Sequence, residues 1–552
     1  MRFLLPVLVV TAALALGWNL NGYRLLDPDE GRNAEVAREM SVTHDYVVPH
    51  LNGLPYLDKP IVYFAAAAVL MQALGPSETT ARLPAYVATL ATIALLVWFA
   101  RRRWGAPAGW LAGLAFATMP LTLAYAHTAI FDSTLALCIT AAMTCFLEEW
   151  TALAWAAIGL GAITKGPVAI FVPLVAVIPF ALVTGRPLRR LVSWRAGAAF
   201  AVVALPWFVA ATIRLPEFPH YAFVVETFQR FTTTSFHRTA PVWYYLPILP
   251  VAAFPWVVPA VAGLKRWRAA WAARHEPRAR EAIWLACWVL GPLLLFTLNR
   301  SKLPQYVLPL LPAFALAAAR ALAADGARVG WRGYAAGAAL AGAAFLTIPI
   351  RLVAALPLTS AERAAIPTVA LTLGVSLVVS AMGIAIAARR DRTELVALSY
   401  AIVVMSLPFS TGPLLRAVGE DRSAAQLAAT IRPAVESGAR VLGVAAYPPS
   451  LPFYLGQRIG IATSSAVELT SNYIVAYQER YRAIPGSPLR PAAEWQTVLA
   501  QCSAPTVFIV RSDDHSVRSD LAMLPLLSDD GHYAAYGPCL SPSPHRGEGT
   551  GG

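Results

Sequence analysis

Apolar runs of roughly 20 residues recur from Phe3 to about Ser410, and they restrict the chain to helices that span a membrane. A backbone inside a bilayer has no water to bond, so each run must satisfy its own N–H and C=O groups. Charged residues are 14% of the chain and hydrophobic ones 57%, whereas a soluble domain carries ~25% charge. The predicted spans are the first segment (to residue 21) and 83–100, 107–125, 130–147, 150–164, 167–184, 196–213, 243–263, 281–298, 304–320, 333–352, 367–387 and 394–410, about 13 in all. The first segment resembles a signal peptide, but an uncleaved anchor keeps the parity of the later spans. Residues 60–74 are apolar but short, and Asp58-Lys59-Pro60 and Gly75-Pro76 bound them, so they are assigned to the interface.

Lys and Arg number 44 against 31 Asp and Glu, a net charge of +13. The surplus sits in short loops: Arg101–Arg103; Arg186, Arg189, Arg190 and Arg195; Lys265, Arg266, Arg268, Arg274, Arg278 and Arg280; Arg389, Arg390 and Arg392. Alternating loops lack it. This is the positive-inside pattern, which places those loops in the cytoplasm and removes the need for a nucleic-acid partner. Of the lysines, Lys59, Lys165 and Lys302 fall in loops placed outside. An odd number of spans sends the C-terminal part to the side of Asp29.

The predicted fold is thus an α-helical polytopic membrane domain, residues 1–411, whose first external loop is 22–82. A small periplasmic α/β domain follows at 412–540, with a helix over 424–435 and strands at 440–446, 506–510 and 532–536. Residues 541–552 are rich in Ser, Pro and Gly and read as a disordered tail. Cys138, Cys145 and Cys287 lie in apolar segments, whereas Cys502 and Cys539 can pair if the tail is periplasmic.

The external loops 22–82, 126–132, 214–242 and 299–304 gather the charges at one water boundary. Asp27, Asp29 and Glu30 stand just outside the first span, ahead of a short polar helix near the surface at 30–40. Asp29 reads either as the N-cap of that helix or as a site acid. Asp132, at the outer end of an apolar helix, has the same two readings, and an acid there is costly unless paired or functional. Lys59, beside Tyr56 and Asp58, opens the interfacial segment, where an ammonium can meet an anionic head group or snorkel to the interface. Arg300, Lys302 and Tyr306 stand at another outer end; Arg230, His237 and Arg238 come from the third loop. Converging cations are what a phosphate requires. Lys165, before Gly166-Pro167, marks a helix break or a further site cation.

No nucleotide-binding loop, zinc spacing or hydrolase elbow is present, so an activated donor would have to arrive on a lipid. A transporter would carry inverted repeats and midplane polar residues, and neither is visible.

Asp27-Pro28-Asp29-Glu30, Tyr56-Leu57-Asp58-Lys59-Pro60, Phe131-Asp132, Thr164-Lys165-Gly166-Pro167, Pro206-Trp207 and Ser301-Lys302-Leu303-Pro304-Gln305-Tyr306 occur in this order. Together they resemble the bacterial aminoarabinose lipid A transferases and their relatives the protein O-mannosyltransferases, membrane glycosyltransferases of the GT-C fold. The resemblance implies a polyprenyl-phosphate-sugar donor and a lipid A or other envelope acceptor. It also implies a multi-pass protein of the bacterial inner membrane whose active site faces the periplasm among membrane lipids. By resemblance Asp29 and Asp132 are the two catalytic acids. Lys59 meets the donor phosphate, helped by Arg238, Lys302, Tyr56 and Tyr306. Asp27, Glu30, Lys165 and Arg300 support them. The resemblance implies no obligatory cofactor; a zinc near the site would be held by Asp58, where the family more often carries Glu, and His237.

Overall fold

The computed structural model describes residues 3–229, 240–347, 353 and 356–539. Arg230, His237, Arg238 and the tail 541–552 lie outside the described residues. The chain packs as two compact units. One comprises Met1–Gly22, Lys59–Leu70 and Ser77–Ala417; the other comprises Tyr23–Asp58, Met71–Pro76 and Val418–Gly552. This partition differs from the linear division at 411/412, because residues 23–58 group with the tail.

The helices run in order α1 (Leu4–Leu16), α2 (Asp29–Thr43), α3 (Val62–Leu74), α4 (Glu78–Trp104), α5 (Ala106–Ala117), α6 (Pro120–Ala126), α7 (Asp132–Leu147), α8 (Thr151–Lys165), α9 (Val168–Val183) and α10 (Trp194–Arg214). The longer ones that follow are Pro277–Leu298, Leu311–Asp325, Trp331–Leu346, Ser360–Arg389 and Thr393–Met405. Among the described residues six helices are long and apolar enough to cross a membrane, and two bent pairs would raise this to eight. α1, α3, α7, α8 and α9 are apolar but shorter. These helices make a polytopic α-helical membrane protein.

Two predicted spans are broken. Residues 107–125 form α5 and α6, bent by 65°, and residues 243–263 form Tyr245–Ala252 and Val257–Ala272, bent by 109°. Pro120 opens the second half of the first pair, where its missing N–H leaves no bond unmade. The buried Trp256 Nε1 donates to Thr118 Oγ1 at 2.8 Å, which ties one break to the other. Helix starts are built from side chains. Ser77 and Thr80 form a reciprocal capping box on α4, and Thr359 and Glu362 form one on Ser360–Arg389.

In the second unit, β1 (His50–Leu51) and β2 (Leu54–Pro55) form a small hairpin. A six-stranded sheet comprises β3 (Arg440–Val444), β4 (Gly460–Ala462), β5 (Leu489–Arg490), β6 (Thr506–Arg511), β7 (Leu526–Asp529) and β8 (Tyr533–Cys539), in the order β5-β4-β3-β6-β8-β7. The first four in that order are parallel, and β8 and β7 run antiparallel to their neighbours. β6 is a continuous apolar run buried up to Val510, as a strand covered on both faces must be. The expected helix and three strands are present; β4, β5 and β7 are too short to stand out in sequence.

Although polar, α2 is largely buried. Its polar groups pair internally: Glu35 accepts two bonds from Arg38 at 2.7 Å each, Arg38 reaches the Gly456 carbonyl at 3.2 Å, and both Glu39 oxygens accept from Gly53 N–H at 2.9 Å. Asn52 exchanges two bonds with the Ile459 backbone.

Cys502 and Cys539 are joined by a disulfide across 37 residues. By loop-closure entropy such a link stabilises by about 4 kcal/mol. Cys502→Ser is therefore expected to lower the melting temperature of the full-length protein. Reductant should lower the wild type in the same way and leave the variant unchanged; equal melting of wild type and variant would contradict the link's role.

Candidate functional site

Asp132 is the first residue of α7, and its N-cap is Phe131, with no capping bond from a side chain. The capping reading of Asp132 is thus replaced by a pairing. Lys165, the last residue of α8, makes an ion pair and a short hydrogen bond with Asp132 Oδ1. The short turn 148–150 folds α8 back along α7, so residues equally far from the turn meet. A carboxylate at a helix N-terminus and an ammonium at a helix C-terminus are each favoured by the helix dipole. The pair is 3% and 13% exposed, respectively. Lys165 Nζ also lies 5.2 Å from the ring centroids of both Phe131 and Tyr306. Asp132 Oδ2 is buried and has no hydrogen-bond partner among the described residues. One oxygen is held by the cation and the other is open to accept a bond.

The segment that supplies Tyr306 is fixed from several sides. Tyr125 donates to Gln305 Oε1 at 2.9 Å, and Tyr245 donates to the Leu303 carbonyl at 3.3 Å. Lys302 is buried and donates to the Asn299 carbonyl at 2.6 Å. Arg300 is exposed, and Lys59, at the start of its own segment of this unit, is half-buried.

The second unit holds the other predicted acids. Asp29 is the first residue of α2, whose N-cap is Pro28. Asp29 therefore does not cap the helix; it accepts a bond from Arg32 Nη2 at 2.5 Å. Arg32 also donates to the Thr470 carbonyl (3.0 Å) and hydroxyl (2.8 Å). Burial works against the Arg32 cation, but Tyr56, Asp29 and Asp58 outweigh it and hold its pKa above the ordinary value. Three predicted residues thus surround an arginine that sequence reasoning missed. Its signal was available: Arg32 stands three residues after Asp29, one turn along a helix.

Glu30 Oε2 accepts from the Leu26 N–H at 3.1 Å, and Asp27 Oδ2 accepts from the Ser450 hydroxyl at 2.7 Å. Burial pushes the Asp27 carboxyl up to about 7, against the Ser450 bonds and the Arg32 charge, with a small further push from Glu30. Burial also raises Glu35 to about 8, against its bond to Arg38. An unfolded Asp releases its proton near pH ~4. The stability Asp27 contributes is complete below that pH and is lost as pH rises through about 7. Asp27→Asn is expected to keep the Ser450 bond and to make the fall in melting temperature from pH 5 to 8 shallower. Glu35 keeps the slope from vanishing. Parallel curves for wild type and variant would overturn this reading.

Asp58 Oδ1 accepts the backbone N–H of Tyr473 at 2.9 Å. Among the described residues no three His, Cys, Asp or Glu side chains gather as metal ligands. His237, the other residue expected to hold a zinc, lies outside the described residues.

Residues 58–209 match the family of dolichyl-phosphate-mannose-protein mannosyltransferases. The undecaprenyl phosphate-alpha-4-amino-4-deoxy-L-arabinose arabinosyl transferase of Yersinia enterocolitica is 36% identical over 306 residues, 52% of this chain and 54% of that protein. The Serratia proteamaculans enzyme of the same name is 34% identical over 324 residues, 56% and 57% of the two chains. The chain thus spans about half the length of the curated relatives it matches. The crystal structure of ArnT from Cupriavidus metallidurans bound to undecaprenyl phosphate aligns over 97% of this chain and 98% of that one, with 28% identity and a TM-score of 0.81. The chain is similar in sequence and in fold to the aminoarabinose transferases. The resemblance read from the motifs is borne out, and the matched family segment contains Lys59, Asp132 and Lys165.

Proposed function

We propose that this protein transfers 4-amino-4-deoxy-L-arabinose from undecaprenyl phosphate to a lipid A phosphate at the periplasmic face of the bacterial inner membrane. The observation that carries the proposal is the near-complete structural match to an undecaprenyl-phosphate-bound relative, joined to a buried acid–cation pair on the matched family segment. The disulfide in the tail supports an oxidising, periplasmic location for that part, and about 13 spans would carry the chain there.

Breaking the sugar–phosphate bond leaves negative charge on the departing phosphate. Lys59, Lys302 and Arg238, with Tyr56 and Tyr306, are proposed to hold that charge, and preorganised cations there lower the barrier. Asp29 and Asp132 orient the acceptor and favour the positive charge that develops on the sugar. The open Oδ2 of Asp132 is the natural contact for that charge. A lipid A phosphate, with a second pKa near ~6, is already largely ionised and needs positioning more than deprotonation. Asp27, Glu30, Lys165 and Arg300 hold the acids and cations in place.

The family match over 58–209 favours one second reading, mannosyl transfer to a protein Ser or Thr. That acceptor must lose a proton, so a carboxylate would act as base. Mass spectrometry of lipid A from cells with and without the gene separates the two. A mass gain of one aminoarabinose that depends on the gene is expected. Unchanged lipid A alongside glycosylated envelope protein would replace the first reading with the second.

A further inference from the structure

The other end of α7 carries a second charge cluster that the proposed reaction does not use. α7 has 16 residues, so its ends lie about 24 Å apart at ~1.5 Å per residue. At this end one set of charges is closed. Arg103 bonds Glu148 and Glu281 at 2.9 Å, and Trp104 Nε1 bonds Glu281 at 2.7 Å. The neighbouring set is not closed. Among the described residues Arg186 and Arg190 share Glu149, at 3.6 and 3.8 Å, beyond hydrogen-bond reach. Glu149 itself is 55% exposed. Arg280 Nε is buried and has no hydrogen-bond partner among the described residues. Arg280, Arg190 and Arg103 all repel Arg186. Its guanidinium is nevertheless held in place, 5.3 Å over the Phe180 ring.

Guanidiniums that converge from separate elements, without enough acceptors, are arranged for a tetrahedral oxyanion. Arg186 and Arg190 come from the connection between α9 and α10, and Arg280 from the start of Pro277–Leu298. Leu182, Val192 and Trp194 are exposed apolar side chains on the same stretch of chain. At a membrane end such neighbours favour lipid over a soluble anion. We propose that Arg186, Arg190 and Arg280 bind the phosphate of an anionic phospholipid at the membrane end away from Asp132.

The test uses the full-length protein in detergent, titrated with phosphatidylglycerol, phosphatidylcholine or inorganic phosphate. Bound lipid is counted by native mass spectrometry and stability by melting. Wild type is expected to retain phosphatidylglycerol and to melt higher with it than with phosphatidylcholine. The Arg186→Gln/Arg280→Gln variant should bind it about tenfold more weakly, whereas Arg389→Gln/Arg390→Gln, which lowers charge elsewhere, should bind as wild type does. Arg280→Lys keeps the charge but loses the fork; it should bind more weakly too, and it carries the test if the double variant is not recovered. Equal lipid binding by wild type and the Arg186/Arg280 variants overturns the site. A full stabilisation by inorganic phosphate alone overturns the lipid assignment.

Discussion

Asp132→Asn is expected to lower sugar transfer by about 10²–10³-fold, the usual cost of removing one electrostatic group from a transition state. The substitution keeps the size of the side chain and leaves Lys165 between the rings of Phe131 and Tyr306, so the fold should persist. Lys165→Met is expected to be as inactive and also less stable. It leaves a carboxylate that is 3% exposed without its cation, and breaking a buried pair from one side costs about 3–5 kcal/mol. The double variant separates the two effects. With both charges gone, melting should recover toward wild type while transfer stays lost. Transfer measured in isolated membranes, with melting of the purified protein, completes the cycle. Full transfer by Asp132→Asn would remove that carboxylate from the mechanism. A double variant no more stable than Lys165→Met would show that the pair is not the unit that matters.

Gly31→Ala is expected to unfold the second unit or strip α2 from it, although the same change usually helps a helix. Alanine is favoured over glycine in a helix interior by ~1 kcal/mol. Here a Cβ would lie 2.0 Å from Asp27 Oδ1 and 2.7 Å from the Ser450 backbone nitrogen. The carboxylate could rotate away, but only by giving up the Ser450 hydroxyl bond, and the backbone nitrogen cannot move without the loop after β3. Overpacking of this kind costs about 3 kcal/mol, and Gly31→Val should cost more. The expected result is a lower melting temperature and faster trypsin cleavage within 23–58. An alanine variant as stable as wild type, or more so, would show that α2 is not seated against Ser450.

The helical membrane character was legible because an apolar run of membrane length has only one way to satisfy its backbone. The breaks in the helices were less so. Pro120 marks the first, but the bond from Trp256 to Thr118 joins residues 138 apart, and no local pattern announces it. Asp132 was legible as a costly acid at a membrane edge, whereas Lys165 was read only as a helix break or further cation. Their pairing follows from how α7 and α8 fold back at 148–150, a symmetry visible in the sequence only once both helix ends are known. Asp29 and Asp132 both looked like helix caps, since an acid before a helix commonly is one. The structure puts each inside its helix, facing a cation instead.

α2 shows where local reading stops. Six of its 15 residues are charged, a composition that by itself belongs in water. Burial became possible because partners far along the chain satisfy it: Gly456 for Arg38, Thr470 for Arg32 and Ser450 for Asp27. The sequence by itself determined the helical membrane architecture, the α/β character of the tail and the motifs that resemble the aminoarabinose transferases, since these rest on runs, periods and motifs within a few tens of residues. Only the tertiary structure decided that residues 23–58 form one unit with the tail, that Arg32 gathers Asp29, Tyr56 and Asp58, and that Lys165 holds Asp132. A buried charge is stable only beside its partner, and those partners lie from one helical turn to hundreds of residues away.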